Sequence, residues 1–142
     1  MALPRPVVLA DPDAAERSRL RGLIERAAAD VDAAVSIHEA TNGSLALRAI
    51  EAHRPAIYVG EILLPEISGL KLIRRLRDQW KAGQLPRFIF VTSMARESDR
   101  YWALRNGAHA YIIKPYEDEL VLARLRQIFA GEPAKPDKLG LI

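Results

Sequence analysis

Four side chains spread along the sequence have the types to work together: Asp11, Glu61, Thr92 and Lys114. Each stands at the C-terminal tip of a short apolar run. Asp11 follows PVVLA (6–10), Glu61 ends AIYVGE (56–61), Thr92 ends RFIFVT (87–92), and Lys114 lies in AYIIKP (110–115). Two carboxylates, a hydroxyl and an ammonium in one pocket can pair internally or hold a charged ligand. Any one of them alone is more often a solvated charge. Four at the same end of four strands point to a site, because open α/β sheets bind ligands outside the carboxyl ends of their strands. The stretch IYVGEILLPEISGL (57–70) poses the question most sharply: a buried strand runs into a glutamate and then into leucines, before Pro65 and Gly69 turn the chain.

Other chemistries find little support. The chain has no cysteine, which excludes disulfides, thiolate metal sites and cysteine nucleophiles. His38, His53 and His109 are scattered, none at ligand spacing from another. Trp80 and Trp102 fall on helical faces and read as packing or surface contacts. The loop TNGS lacks the glycine spacing and following lysine of a phosphate cradle. The net charge of +3 is spread through the helices, with no block of like charges, so it reads as a solvated surface with a positive bias rather than a nucleic-acid footprint. Arg96, Arg100 and Arg105, with Arg124 and Arg126, are expected to form a basic face near the fifth strand. The N-terminal MALPRPVVLA is too short and too broken for a signal peptide or membrane span, so a cytoplasmic protein without a membrane partner is expected.

The elements that must position the four residues alternate regularly. Between the apolar runs lie helical patterns. Leu20, Leu23, Ile24, Ala27 and Val31 form one stripe, behind a start at Asp13 and Glu16 that resembles a capping box. VSIHEA (35–40) reads as a second strand. A helix follows TNG and runs to about His53; another is capped by Ser68 and shows Leu70, Ile73, Leu76 and Trp80 on one face. A fourth around ESDRYWALRNGA stops at Asn106-Gly107, and a fifth spans YEDELVLARLRQIFA. Five βα units in 142 residues predict one flavodoxin-like, doubly wound parallel sheet of strand order 2-1-3-4-5 with five helices. The domain is expected over residues 1–131. Residues 132–142 read as a flexible tail or the start of a linker, leaving open whether the chain acts alone or within a larger protein.

These segments resemble the receiver domains of two-component response regulators. VVLADPDAAERSRL is similar to their first strand and acidic turn, and AIYVGEILLPEISGLKLIRRL to the phospho-acceptor strand, its proline loop and the next helix. LPRFIFVTS and GAHAYIIKPYEDEL are similar to the switch-threonine and Lys-Pro segments, and the match runs over roughly residues 6–130. ESDRYWALRNGAHAY also resembles the single-domain receivers of twitching-motility pathways. The resemblance implies that Thr92 is the switch hydroxyl, Tyr111 the switch aromatic, and Lys114, before a cis Pro115, the family's lysine. It implies no enzyme beyond the switch itself.

The departures from that pattern carry the functional expectation. The acceptor position, an aspartate in the family, is Glu61, and the paired acids after the first strand are here Asp11-Pro12, with Asp13 one residue late and needed as a helix cap. A standard pocket has three carboxylates and one lysine; this one has two carboxylates against one ammonium, a formal −1. Magnesium requires near-octahedral oxygen ligands at roughly 2.0–2.1 Å. With Asp11, Glu61 and the Leu63 carbonyl as the remaining candidates, magnesium binding is expected to be weak or absent, and no other cofactor is implied. The expectation is an atypical, phosphorylation-independent receiver that meets a signalling partner through helix 4, strand 5 and helix 5, with a homodimer as a further candidate assembly. Glu61 then either mimics the phosphorylated state through Lys114 and Thr92, or forms a structural ion pair in place of the metal. The alternative is a conventional receiver that takes phosphate from a histidine kinase on Glu61 or a nearby acid, with magnesium.

Overall fold

The computed structural model describes residues 3–131. Five parallel strands, β1 (Arg5–Ala10), β2 (Val35–Ala40), β3 (Ile57–Gly60), β4 (Arg87–Thr92) and β5 (Ala110–Ile113), form one sheet of order β2-β1-β3-β4-β5. Helices α1 (Ala14–Asp30), α2 (Gly43–His53), α3 (Gly69–Gln79), α4 (Glu97–Arg105) and α5 (Asp118–Phe129) connect and cover them. The doubly wound architecture expected from the alternating runs is therefore the one observed. The expected tail, residues 132–142, lies outside the described residues.

The continuous apolar runs are explained by two cores. Successive side chains of a strand point to opposite faces, and both faces of this sheet are covered by helices. Val7, Leu9, Val59 and Ile89 face α1 and α5, where Leu20, Ile24 and Leu125 meet them. Val8, Tyr58, Phe88 and Phe90 face α2, α3 and α4. Tyr58 and Phe88 lie 4.7 Å apart between ring centroids, and Phe90 and Tyr111 6.5 Å, so an aromatic row crosses β3, β4 and β5 beneath the strand ends.

Boundaries shift where a cap or a proline intervenes. β3 ends at Gly60 and β5 at Ile113, leaving Glu61 and the cis Lys114–Pro115 bond just beyond the sheet rather than inside it. α5 begins at Asp118 behind Glu117. Asp13 caps α1 by accepting from the amides of Ala15 and Glu16, and Ser68 caps α3 by accepting from Lys71. The reciprocal half of the expected capping box is differently filled. The Asp13 amide donates to Asp11, and Glu16 instead accepts the Tyr116 hydroxyl from the loop between β5 and α5. On α3, Leu72 joins Ile73 and Leu76 in the buried stripe, while Leu70 and Trp80 are only partly buried at its edges.

Two glycines let the loop after β3 lie tightly against its neighbours. A Cβ on Gly43 would stand 1.8 Å from the Ile67 carbonyl oxygen, and one on Gly69 2.9 Å from the Phe90 ring. The Gly43 amide donates to the Pro65 carbonyl at 2.9 Å, which fixes the start of α2 to this loop. Gly43→Ala should therefore cost about 1–3 kcal/mol, as forced overpacking does, read as a lowered urea midpoint. Tyr58 tests the core in the opposite direction. Its hydroxyl is buried without a hydrogen-bond partner among the described residues. Tyr58→Phe removes an unsatisfied polar group and should raise stability by about 1 kcal/mol.

Candidate functional site

The strand ends bring Asp11, Glu61, Thr92 and Lys114 together. Parallel register sets Ala10 beside Gly60, Gly60 beside Phe90, and Thr92 beside Ile113, so the next residues of each strand surround one point. Asp11 is 1% exposed, Glu61 5% and Thr92 0%, so these groups must be paired. Lys114 Nζ supplies the pairing. It lies 2.8 Å from Asp11 Oδ2 and 3.3 Å from Glu61 Oε1, across 103 and 53 residues of sequence.

Every carboxylate oxygen at the site is engaged. Asp11 Oδ1 accepts the Asp13 amide at 2.8 Å, while its other oxygen takes Lys114. Glu61 Oε2 accepts the amides of Ile62 at 2.7 Å and Leu63 at 3.1 Å. Glu61 Oε1 accepts the Ser93 amide at 3.3 Å and the Ser93 hydroxyl at 3.4 Å, besides Lys114. A carboxylate offers about four lone-pair positions. The donors to Glu61 fill them.

The neighbouring residues extend the same network. Thr92 Oγ1 accepts the Met94 amide at 3.1 Å, and its hydroxyl favours the charged form of the Glu61 carboxylate beside it. The Tyr111 hydroxyl donates to the Met94 carbonyl at 2.8 Å, with the ring turned inward and 5% exposed. Pro12 is exposed and brings no donor, and Asp13 is exposed with its carboxylate committed to the α1 cap.

Burial pushes the Glu61 carboxyl up, but the Thr92 hydroxyl, the Leu63 amide, Lys114 and the Ser93 amide outweigh it and hold the group below the ordinary glutamate range. Burial pulls Lys114 down, and the hydrogen bond and charge of Asp11, followed by Glu61, reverse this and hold the ammonium above the ordinary lysine range.

Several residues were not legible as part of the site. Ser93 is the main one; its only signal was its position directly after a strand-end threonine. Arg17 is another, donating from Nη1 to the Asp11 carbonyl at 2.9 Å while its Nε pairs with Glu39 at 3.0 Å. The histidines also depart from expectation. His38 and His53 are not isolated but stacked, with centroids 3.6 Å apart and planes 11° apart, because the end of α2 folds back beside β2. The expected basic face near β5 is divided: Arg126 turns to Asp30 of α1 at 2.6 Å, and Arg96 pairs with Asp99 at 3.0 Å.

Lys114→Met would leave two buried carboxylates facing each other, and should destabilise the fold by about 3–5 kcal/mol, measured by chemical denaturation. The pH dependence follows from the directions above. Burial, then His53, holds His38 below its ordinary value of 6.5, and burial, then Arg87, does the same for His109. Their contribution is present above pH 6.5 and is lost as the pH falls through their folded values. The Glu61 contribution is present above 4.5 and is lost at lower pH still. That of Lys114 is present below 10.5 and is lost as the pH rises through its folded value. Denaturation midpoints against pH should therefore fall in two stages on acidification, and Glu61→Gln should abolish the lower stage.

Comparison with known proteins agrees with this fold. Residues 7–126 match the family described as the response regulator receiver domain. An uncharacterised 14.6 kDa protein of Leptolyngbya boryana is 38% identical over 85% of this chain and 86% of its own length. Protein PilH of Pseudomonas aeruginosa is 25% identical over 88% of this chain and 98% of its own length. Response regulator Rre1 of Synechocystis is 26% identical over 96% of this chain, which spans only 57% of that protein. Among solved structures, a two-component response regulator of the LuxR family from Aurantimonas superposes with a TM-score of 0.76 at 26% identity, over 96% of this chain and 93% of that one. The receiver domain of NarL from Mycobacterium tuberculosis has the same fold, with a TM-score of 0.73 at 21% identity, over 92% of this chain and 100% of that one. With its five-stranded sheet and its acid and lysine strand ends, the chain belongs to the response regulator receiver domains of two-component signalling.

Proposed function

We propose that this receiver is held in one signalling state by its own Glu61 and passes that state on by protein–protein contact, without phosphorylation. The observation that carries the reading is the full occupation of the Glu61 carboxylate by Lys114, Ser93 and the amides of Ile62 and Leu63. A phospho-acceptor oxygen needs a lone pair turned outward to an incoming phosphorus atom. Both oxygens here face donors of the protein itself.

The donor set does not fit a divalent cation. Pro12 stands where a second acid would coordinate, Asp13 caps α1, and Lys114 takes one oxygen each from Asp11 and Glu61. Phosphoryl transfer depends on positioning and charge neutralisation, in which such ions have a large share. A pocket whose lysine is already bound by two carboxylates is poorly equipped for that step.

What the pocket can do is hold β4 and β5 in place. One Glu61 oxygen gathers Ser93 after β4 and Lys114 after β5, while Tyr111 closes over Met94. A charge-assisted hydrogen bond of this kind is worth about 1.5–3 kcal/mol, the scale of the gap between the two states of a switch. The face formed by α4, β5 and α5 adjoins this network and carries exposed Tyr101, Ile113 and Leu120. That face would meet the signalling partner.

Intact mass after incubation with acetyl phosphate and magnesium tests the reading. The native protein is expected to gain no phosphoryl group. Glu61→Asp alone should gain none either, because Pro12 still withholds the second acid. The double variant Pro12→Asp, Glu61→Asp should label in a magnesium-dependent way. A hydroxylamine-sensitive adduct on the native protein that disappears in Glu61→Gln would restore a conventional switch.

A further inference from the structure

Three clefts follow one another between α3 and α4 and share lining residues, which makes them one groove. The upper cleft, about 430 Å³, lies between Ser68, Lys71 and Arg74 of the α3 start and Trp102 of α4. The middle cleft, about 280 Å³, uses Arg74 again and adds Arg77 and Asn106. The lower cleft, about 260 Å³, shares Arg77 and Asn106 and adds Arg105 and His109 above a floor of Ile73 and Phe88. From Ser68 to Arg77 the groove runs roughly 14 Å along α3, at ~1.5 Å per helical residue.

Its cations differ from several elsewhere on the molecule. Arg17, Arg19, Arg21 and Arg126 are each paired with an acid. Lys71, Arg74 and Arg77, by contrast, form no salt bridge among the described residues. Arg74 lies only 5.9 Å from the Trp102 ring centroid, and Arg77 donates to the neutral Asn106 at 3.1 Å. Against Lys71, Arg74, Arg77 and Arg105 the walls set two acids, Glu66 and Asp78. At the lower end, His109 Nδ1 is buried without a hydrogen-bond partner.

We infer that the groove between α3 and α4 docks an acidic segment of a partner protein that also carries apolar side chains. Carboxylates would meet Lys71, Arg74 and Arg77, and an apolar side chain would enter the lower cleft above Ile73 and Phe88. The chemistry favours such a segment over two other occupants. A nucleic-acid strand would leave the apolar floor of Ile73 and Phe88 unused. A second copy carries the same net +3, so it would meet a cationic groove with a like-charged surface. The groove lies on the α3 flank of α4, separate from the proposed face of α4, β5 and α5, and does not depend on whether Glu61 is phosphorylated.

The test is a titration of the isotope-labelled full chain, followed by NMR, with a capped acidic amphipathic peptide of Glu and Leu. A peptide with Lys in place of Glu and an oligothymidine strand serve as comparisons. Shifts are expected at the amides of Lys71, Arg74 and Asn106 and at the Trp102 indole, with affinity falling as salt is added. Lys71→Glu with Arg74→Glu should weaken binding about tenfold. Arg74→Gln, which removes a charge without reversing it, should weaken binding about threefold and decides the matter if the double variant does not fold. Leu120→Ser should leave it unchanged. The proposal is overturned if the acidic peptide causes no shifts, if the Lys peptide or the oligonucleotide binds as well or better, or if Leu120→Ser abolishes binding while the α3 variants do not. That last result would assign the peptide to the other face and leave the reading of Glu61 intact.

Discussion

Lys114 sits between two carboxylates that are almost completely withdrawn from water, and the rest of the site depends on that arrangement. Asp11 and Glu61 could not both remain charged at this depth without a cation between them. The ammonium comes from the far end of the sequence and remains 20% exposed, so one side chain joins the ends of three strands to each other and to solvent. The register of β1, β3 and β5 and the chemistry of the pocket are therefore a single constraint. A slip of one residue in any strand would turn its charged terminus out of the pair and into a core face.

That constraint also explains why a glutamate is tolerated where the family pattern has an aspartate. The longer side chain curls back so that one oxygen takes the amides of its own loop, while the other reaches Ser93 and Lys114. The loop can supply those amides because Gly43 and Gly69 let it lie against α2 and β4 with almost no clearance. Tight packing below and saturated hydrogen bonding above leave the acid turn with little to rearrange. The single signalling state we propose would rest on this, with the polar groups of the turn already satisfied by the protein.

The charge of the molecule is unevenly resolved. On α1 and α5, Arg17, Arg19, Arg21 and Arg126 are paired with acids, and Arg19 also lies 4.3 Å over the Tyr116 ring, so that side of the sheet is held by its own ion pairs. On α3 the cations line a groove and meet few acids. The sheet thus separates a self-contained helical layer from one with charge available for other molecules, and α4 stands between its two candidate surfaces.

The amino-acid sequence by itself determined the architecture and the four strand-end residues of the pocket. Strands buried on both faces read as continuous apolar runs, helices show their stripes and their caps at Asp13 and Ser68, and the strand ends of a parallel sheet converge by topology. Asp11, Glu61, Thr92 and Lys114 could therefore be placed together without coordinates, and the replacement of an acid by Pro12 was visible as a missing ligand. Tertiary structure alone decided which lone pair meets which donor. That Ser93 turns to Glu61, that Arg126 reaches α1 instead of β5, and that His38 stacks on His53 depend on distances between elements far apart in the chain. Those distances are set by how two cores pack, and packing leaves no period in the sequence from which they could be read.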